Sequence, residues 1–334
     1  MGSNKMVDLC SANKSMISAM IESGIALGVG NIYYVCQTTN STVYADLQKK
    51  IGTLQYSDGS SALHTTIQSA LDATVGNRND YVIVTPDNTD YDLTAALTMS
   101  KRNVHLLCPA GISGLGASNA ARIDQNTADT ATITLTGDSC EIAGFWFKST
   151  GNSTLLSTTG HICVPTASTG QAANIHHNYF FMDGSGSDNA PAINYYNGGS
   201  GNYGNIHHNR FQFMTPSTTF SYGVYLSSAN SIFEFNEILV QNGCTVTWGV
   251  RMNGAGGAIN YNTFIASRAG GGLSAGAFGG AILIDTNDTT GAVGNKGAVG
   301  SGTLIEGGTA DTSWCDNRSG VNGGATTCDQ DADA

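Results

Sequence analysis

The chain carries the phrase Asn174-Ile-His-His-Asn-Tyr-Phe180 and repeats it 31 residues later as Asn205-Ile-His-His-Asn-Arg-Phe211. Two looser copies follow, Ile232-Phe-Glu-Phe-Asn-Glu-Ile238 and Ala258-Ile-Asn-Tyr-Asn-Thr-Phe264, and a weak fifth candidate is Gly294-Asn-Lys-Gly297. A repeat of this length is typical of one supersecondary unit stacked on the next. We therefore interpret the rest of the chain by how it fits a stack.

A second strand-like phrase precedes each copy at a similar period, so each repeat contains at least two short strands. These phrases are His161–Val164, Ala192–Tyr196, Gly223–Leu226, Gly249–Met252 and Ala281–Ile284. Gly, Ser and Asn fill the segments between them, which is typical of turns and loops.

Side chains of a strand alternate between the two faces of its sheet. With Ile175 pointing inward, His176 points outward, His177 inward, and Asn178 lies at a turn. Aligning the copies then predicts three inward columns that fill a common core. They are Ile175, Ile206, Phe233 and Ile259; His177, His208, Phe235 and Tyr261; and Phe180, Phe211, Ile238 and Phe264.

The turn position is asparagine in all four copies: Asn178, Asn209, Asn236 and Asn262. Asparagine tolerates the left-handed backbone of a sharp corner, and its amide can bond the backbone of the next coil. Identical amides stacked at the strand spacing of about 4.8 Å can form a ladder. We assign this column a structural role and no part in catalysis.

Composition places the chain among Gly-, Ser-, Thr- and Asn-rich β proteins. Of 334 residues, 43 are Gly and only 12 % are charged, which argues against a disordered chain. The net charge of -11 with 14 basic residues predicts no nucleic-acid-binding face. No segment predicts a membrane span, and the apolar stretch Met16–Val29 lacks the features of a secretion signal.

Eight cysteines are spread along the chain with no C-x-x-C spacing, so a zinc ribbon or a thioredoxin motif is excluded. We interpret most of them as small buried apolar residues of a reduced protein. Cys315 and Cys328 have the spacing to close a loop near the C-terminus.

The chain divides into an N-terminal segment 1–58, a repeated body 59–300 and a C-terminal cap 301–334. The first segment predicts a helix after Ser15, a strand over Asn31–Cys36 and a helix over Val43–Lys50. It is apolar enough to need a partner, and two interpretations stay open: a cap on the body, or an arm that docks on another protein.

The body begins with a predicted capping helix that starts at Ser60 or Ser61, buries Leu63, Ile67 and Leu71 on one face, and ends by Gly76. Apolar runs then predict further strands. They are Tyr81–Thr85, Asn103–Cys108, Thr132–Thr136 and Cys140–Phe147.

Repeats of 26 to 32 residues with two or three short strands each, and no helical pattern between them, argue for an all-β parallel solenoid. On these phrases and the helix-to-strand entry at Ala62–Thr85, the chain resembles the right-handed parallel β-helix, or pectate-lyase-like, superfamily. The resemblance covers about residues 60 to 300. It implies the fold, but this scaffold carries many unrelated activities.

Members of that superfamily that cleave polysaccharides use clustered carboxylates, and we find no such cluster in the repeats. The best candidate is an outward column with His176, His207 and Glu234, beside a second one with Tyr179, Arg210 and Glu237. These side chains fit a structural polar stack, a divalent-metal site or a glycan or catalytic groove. We favour the stack, and we assign no catalytic residue, metal or cofactor.

The resemblance extends to β-helical bacteriophage proteins such as tail spikes, fibres and head-decorating proteins. It implies a non-enzymatic virion component, anchored to other virion proteins through the N-terminal segment and associated as a homotrimer. The alternatives are a polysaccharide lyase or glycoside hydrolase, and a glycan-binding protein. For the last, we expect Tyr179, Tyr195, Tyr196 and Tyr225 to serve as stacking platforms.

Overall fold

The computed structural model describes residues 30–112, 120–149, 158–166, 169–182, 190–196, 203–214, 218–227, 229–254, 256–267, 274–284, 290–298, 303–307, 314–315 and 317–319. The helix predicted after Ser15 and the partner cysteine Cys328 lie outside these residues. No helix in the described ranges is long and apolar enough to cross a membrane.

Three all-parallel sheets run along the molecule, with strands numbered in chain order. Sheet 1 has β1 (Ile32–Val35), β2 (Leu63–His64), β3 (Asp80–Val84), β6 (Val104–Leu107), β9 (Glu141–Ala143), β12 (Asn174–His176), β15 (Asn205–His207), β18 (Ile232–Glu234), β21 (Ala258–Asn260), β24 (Gly291–Val293) and β27 (Trp314–Cys315). Sheet 2 has β4 (Tyr91–Leu93), β7 (Ala121–Gln125), β10 (Phe145–Ser149), β13 (Tyr179–Met182), β16 (Arg210–Phe213), β19 (Glu237–Val240), β22 (Thr263–Ala266), β25 (Lys296–Ala298) and β28 (Arg318–Ser319). Sheet 3 has β5 (Leu97–Met99), β8 (Ile133–Leu135), β11 (Ile162–Val164), β14 (Ile193–Tyr195), β17 (Thr219–Leu226), β20 (Thr245–Met252), β23 (Ala277–Ile284) and β26 (Thr303–Gly307).

Each coil passes once through sheets 1, 2 and 3 before the chain returns to sheet 1. The two copies of the opening phrase pair in register, with Ile175 beside Ile206 and Phe180 beside Phe211. The five strand-like phrases that precede the copies all lie in sheet 3. The predicted right-handed parallel β-helix is therefore confirmed.

Among the described residues, three helices lie toward the N-terminal end: α1 (Ser41–Ile51), α2 (Ile67–Ala73) and α3 (Pro109–Ile112). The prediction for α2 was wrong at its start. Thr66 caps it by accepting a hydrogen bond from the Ser69 amide, and Leu63 and His64 form β2 instead. Leu63 and His64 pair with Tyr34 and Val35 along the outer edge of β1, so their backbone is extended and not helical.

The described part of the N-terminal segment is packed on the solenoid. Strand β1 pairs with β3 in sheet 1, and α1 buries Leu47 and Ile51 against the outer face of that sheet. The residues beneath include Tyr34, Ile83 and Leu107. These contacts make residues 30–58 a cover for the first coils.

Two of the three predicted inward columns are confirmed. Every member of the Ile175 and Phe180 columns is fully buried, and the rings of Phe180 and Phe211 stack with centroids 4.8 Å apart. The column of His177, His208, Phe235 and Tyr261 was predicted inward, and this is wrong. Phe235 is 47 % and Tyr261 52 % exposed.

The error comes from the corner between sheets 1 and 2. The residue before each asparagine, not the asparagine itself, has the left-handed backbone, with φ of 54° at His177, 55° at His208, 53° at Phe235 and 56° at Tyr261. A left-handed residue breaks the alternation of a strand, so its side chain turns outward and the asparagine turns inward. The run Cys140–Phe147, predicted as one strand, splits into β9 and β10 at the same corner, where Gly144 has φ 85°.

Candidate functional site

The corner asparagines form one hydrogen-bonded column. The Asn178 amide N–H donates to Asn209 Oδ1 at 3.0 Å, and the Asn209 N–H donates to Asn236 Oδ1 at 2.9 Å. Each Nδ2 also donates to a carbonyl of the preceding coil, as Asn209 does to Ile175 at 2.8 Å. The column continues through Asn262 to two further asparagines, Asn295 and Asn317. All of its polar groups act within the solenoid.

The outward polar column of sheet 1 brings three predicted residues into register. His176 pairs with His207, and His207 with Glu234, on successive strands. The imidazoles of His176 and His207 stack with centroids 4.9 Å apart and planes 5° apart. His176 is only 4 % exposed although it lies on the outer face, whereas His207 and Glu234 are half-buried.

Two residues that the sequence analysis missed complete this cluster. Glu141, one coil before His176, accepts hydrogen bonds from His176 Nε2 at 2.7 Å and from His105 Nδ1 at 2.5 Å. The other ring nitrogen of His105 lies 2.7 Å from Asn79 Oδ1. We call Asn79, His105, Glu141, His176 and His207 the histidine–glutamate cluster.

The corner histidines extend the cluster to the surface. His176 and His177 share a hydrogen bond between their Nδ1 atoms at 2.8 Å, and His207 and His208 share an identical one. His207 Nε2 bonds Asn174 Oδ1 at 3.0 Å. Both ring nitrogens of His105, His176 and His207 are therefore engaged by neighbouring protein groups.

The electrostatics follow from burial and from these bonds. Burial alone would raise the pKa of Glu141, but the hydrogen bonds from His105 and His176 outweigh it and lower this pKa to about 2. Burial, reinforced by the neighbouring histidines, lowers the pKa of His207 to about 3 and that of His177 to about 4. The carboxylate is thus ionised and these two imidazoles are neutral near neutral pH.

Metal binding was one of the alternatives for this column. Within the described ranges, no group of three or more His, Cys, Asp or Glu side chains is arranged to hold a metal ion. The bonds above engage the ring nitrogens that would have to serve as ligands. The hydrogen bonds among Glu141 and the imidazoles connect neighbouring coils of sheet 1.

The second predicted column lies on the outer face of sheet 2. Tyr179, Arg210 and Glu237 are in register there, and Arg210 Nε lies 3.3 Å from Glu237 Oε1. The Arg210 guanidinium also lies 6.0 Å from the centre of the Tyr179 ring. Gln212 accepts a hydrogen bond from the Tyr179 hydroxyl.

The same face carries aromatic residues that the sequence analysis did not select. Trp146 lies 5.6 Å from Tyr179 and 5.9 Å from Phe181 between ring centres, and the Arg122 guanidinium lies 5.7 Å from the Trp146 ring. All three rings are half-buried. We call Trp146, Tyr179 and Phe181, with Arg122 and Arg210 at their edges, the aromatic patch.

Two buried polar atoms near the patch have no hydrogen-bond partner within the described part of the chain. One is Trp146 Nε1, and the other is Oδ1 of Asp124, a residue only 7 % exposed. The other oxygen of Asp124 lies 2.9 Å from Lys148 Nζ. Buried polar atoms without partners are rare, and they point to a missing polar ligand or water.

The predicted tyrosine platforms are dispersed. Tyr195 is fully buried in the core, because its strand turns that side chain inward, so this part of the prediction is wrong. Tyr225 lies on sheet 3, only 9 % exposed, with the Arg251 guanidinium 5.4 Å from its ring. Tyr179 alone joins an aromatic group on sheet 2.

The sequence carries only a weak signal for the residues that were missed. The coil of Glu141 has Gly144 and Phe145 where the later copies have a larger residue and asparagine, so it does not read as a copy of the phrase. The contact of Glu141 with His176 becomes visible only when β9 and β12 are paired, which places Glu141 opposite Asn174, two residues before His176. Trp146 lies two residues after Gly144 in that same coil, and it was not selected because this coil does not match the repeated phrase.

No protein-family model matches the chain, and no curated protein matches its sequence.

Proposed function

We propose that this chain is a non-enzymatic structural protein of a bacteriophage particle, a β-helical component such as a capsid decoration or a tail spike or fibre. The observation that carries the proposal is the internal use of the outward polar column. His105, Glu141, His176 and His207 bond one another or neighbouring coils. A catalytic column would present such groups to a substrate.

A rigid rod also suits that role. The asparagine column links successive coils from Asn178 to Asn317, and aromatic residues stack beneath it in the core. Parallel coils held by both backbone and side-chain hydrogen bonds resist local opening.

The proposal is tested on purified particles and on the isolated protein. We expect quantitative mass spectrometry to find the chain at a fixed copy number relative to the major coat protein. We also expect no reducing ends or unsaturated products from a panel of bacterial and algal polysaccharides. Turnover that is lost in His207→Ala or Glu234→Ala, and kept in the control His64→Ala outside the cluster, would refute the structural role.

A second function, glycan binding without turnover, is favoured by the aromatic patch. Aromatic faces pack against sugar rings, and the three rings of the patch lie together on the outer face of sheet 2. Such a surface fits a particle that recognises a cell-surface polysaccharide.

We expect an oligosaccharide from the panel to change the tryptophan fluorescence, and Trp146→Ala to weaken this binding by at least about tenfold, as for loss of a stacking residue at a hot spot. Trp248→Ala is the matched control, since Trp248 lies on sheet 3 and packs against Gly280. Equal effects of the two substitutions, or no response to any oligosaccharide at millimolar concentration, would exclude the patch as a glycan site.

A further inference from the structure

The first coil of the solenoid has two strands that end their sheets. Strand β4 is the edge of sheet 2 and β5 is the edge of sheet 3, whereas sheet 1 continues past this coil with β1 and β2. An exposed edge presents unpaired N–H and C=O groups to which another strand can add. The two edges are treated differently by the protein.

The edge of β5 is closed by a side chain. In a parallel pair, alternate residues of a strand face the neighbouring strand, and Leu97 and Met99 bond the β8 side. Thr98 faces the other way. Its N–H donates to Gln68 Oε1 at 2.8 Å, and its C=O accepts from Gln68 Nε2 at 3.4 Å. The Gln68 amide thus takes the place of a neighbouring strand.

The edge of β4 is left open at one residue. Leu93 C=O accepts from the Asn126 N–H on the β7 side, so the N–H and C=O of Asp92 point away from β7. Gln37 Nε2 closes the carbonyl of Asp90 at 3.0 Å, and Thr127 Oγ1 closes that of Thr94 at 2.9 Å. Between these two closures, Asp92 has no counterpart of Gln68 in the described ranges.

A groove of about 380 Å³ lies at this open edge. Its walls are residues 37–39 on one side, 65–68 on another, and β4 itself. Its described lining includes Asp90 and Asp92 and no Lys or Arg, although Arg122 pairs with Asp90 at 2.8 Å. Asp92 is exposed. The groove therefore presents one carboxylate without a cationic partner, that of Asp92, beside a backbone N–H and C=O that bond nothing else in the described part of the chain.

We propose that this groove binds an extended peptide segment of a partner protein, which adds to β4 as a further strand of sheet 2. The partner segment pairs its backbone with the N–H and C=O of Asp92 and carries a Lys or Arg for the Asp92 carboxylate. Backbone pairing of this kind is a recurrent mode of peptide recognition. The inference concerns the N-terminal end of the rod and does not depend on the role in a virus particle.

Amide hydrogen exchange on the full chain tests the open edge without any substitution. The Thr98 and Asp92 amides form a matched pair, since each lies at the centre of an edge strand. We expect Thr98 to be protected by Gln68 and Asp92 to exchange at least about tenfold faster in the free protein. Equal protection of Asp92 would show that another part of the chain already occupies the edge, and would contradict the proposal.

Binding is tested with an immobilised array of random twelve-residue peptides, followed by fluorescence polarisation with the best of them. We expect the selected peptides to contain Lys or Arg and to slow exchange at Asp92. Asp92→Ala removes only the carboxylate, and we expect it to weaken binding by about threefold, as for an exposed ion pair. Asp92→Pro removes the N–H as well, which an edge strand tolerates, and we expect a further loss of about five- to tenfold.

Several results would overturn this proposal. They are the absence of any selected peptide, equal binding by Asp92→Pro and Asp92→Ala, and protection of Asp92 by a neutral oligosaccharide such as maltohexaose but by no peptide. Unchanged circular dichroism of both variants serves as the folding control. If Asp92→Pro fails to fold, the exchange difference between Thr98 and Asp92, with and without the selected peptide, still decides the question.

Discussion

At the scale of single residues, two neighbouring positions of the repeated phrase have different structural roles. Asn209 turns its amide inward and bonds the coils on both sides, while the preceding His208 adopts the left-handed backbone and points to solvent. Asn236 and Phe235 repeat this division in the next coil. The asparagine thus connects coils, and its neighbour makes the corner.

Replacement of Asn209 by alanine tests the connecting role. The substitution leaves the Asn178 amide and the Ile175 carbonyl without their partner, and we expect a loss of roughly 1–3 kcal/mol in the free energy of unfolding. Urea denaturation followed by circular dichroism measures it. Asn260→Ala, on the outer face two residues before Asn262, is the control and should stay within about 0.5 kcal/mol.

If the two substitutions shift the urea midpoint equally, the amide column does not stabilise the fold beyond an ordinary surface residue.

At the scale of elements, the corners carry a ladder of rings. His177, His208, Phe235 and Tyr261 stack in sequence with centroids 5.1 to 5.2 Å apart. The same position is Gly144 before the ladder and Gly294 after it, and the Tyr261 ring lies over Gly294. Aromatic stacking therefore compensates for a backbone conformation that favours glycine.

This balance predicts an unusual order of stability at Phe235. Phe235→Ala loses the stacking and keeps the strained backbone, whereas Phe235→Gly relieves the strain. We expect the glycine variant to be more stable than the alanine variant by about 1 kcal/mol. At Glu234, an ordinary strand position next to it, the order should reverse. Thermal unfolding of the four variants measures both differences.

An alanine variant at Phe235 that is as stable as the glycine variant would contradict the strain inferred from the backbone.

The sequence predicted the elements whose pattern is local. The alternation in β12 and β13 identified Ile175 and Phe180 as core residues, because strand periodicity is a property of a few neighbouring residues. It failed at His177, where a single left-handed residue shifts the alternation. The sequence analysis also missed His105 and Glu141. The contacts of Glu141 with His105 and with His176 depend on which strands pair across 35 or 36 residues, and the earlier coils do not carry the phrase.

At the scale of the whole molecule, burial keeps several histidines neutral. His161 is fully enclosed in the core, with Nδ1 3.0 Å from Thr132 Oγ1, and burial lowers its pKa from 6.5 to about 3. The pKa values of His177 and His207 are lowered in the same direction. At a pH between the lowered pKa and the ordinary value of 6.5, each of these imidazoles is protonated in the unfolded chain and neutral in the folded chain.

The protein should therefore lose stability in acid. Because only the unfolded chain gains a proton at His161 in this range, the free energy of unfolding falls as the pH drops from about 6.5 toward 3, by roughly 3 kcal/mol at pH 4. Thermal unfolding at pH 7 and pH 4 measures the total change, to which Glu141 adds below its ordinary pKa of 4.5. His161→Gln, which cannot titrate, should show a smaller change between the two pH values.

An identical pH dependence in His161→Gln and the unchanged protein would show that this histidine is not held neutral by the core.

The measurement that tests the central claim most directly is amide hydrogen exchange at the corners. The claim is that the repeated polar phrase builds the solenoid. The N–H groups of Asn178, Asn209, Asn236 and Asn262 each donate to the next asparagine in the column, although they lie in the two-residue corners between sheets 1 and 2, outside the strands. We predict that these amides exchange as slowly as those of the core strands. Exchange at the rate of solvent-exposed loop amides would contradict the claim.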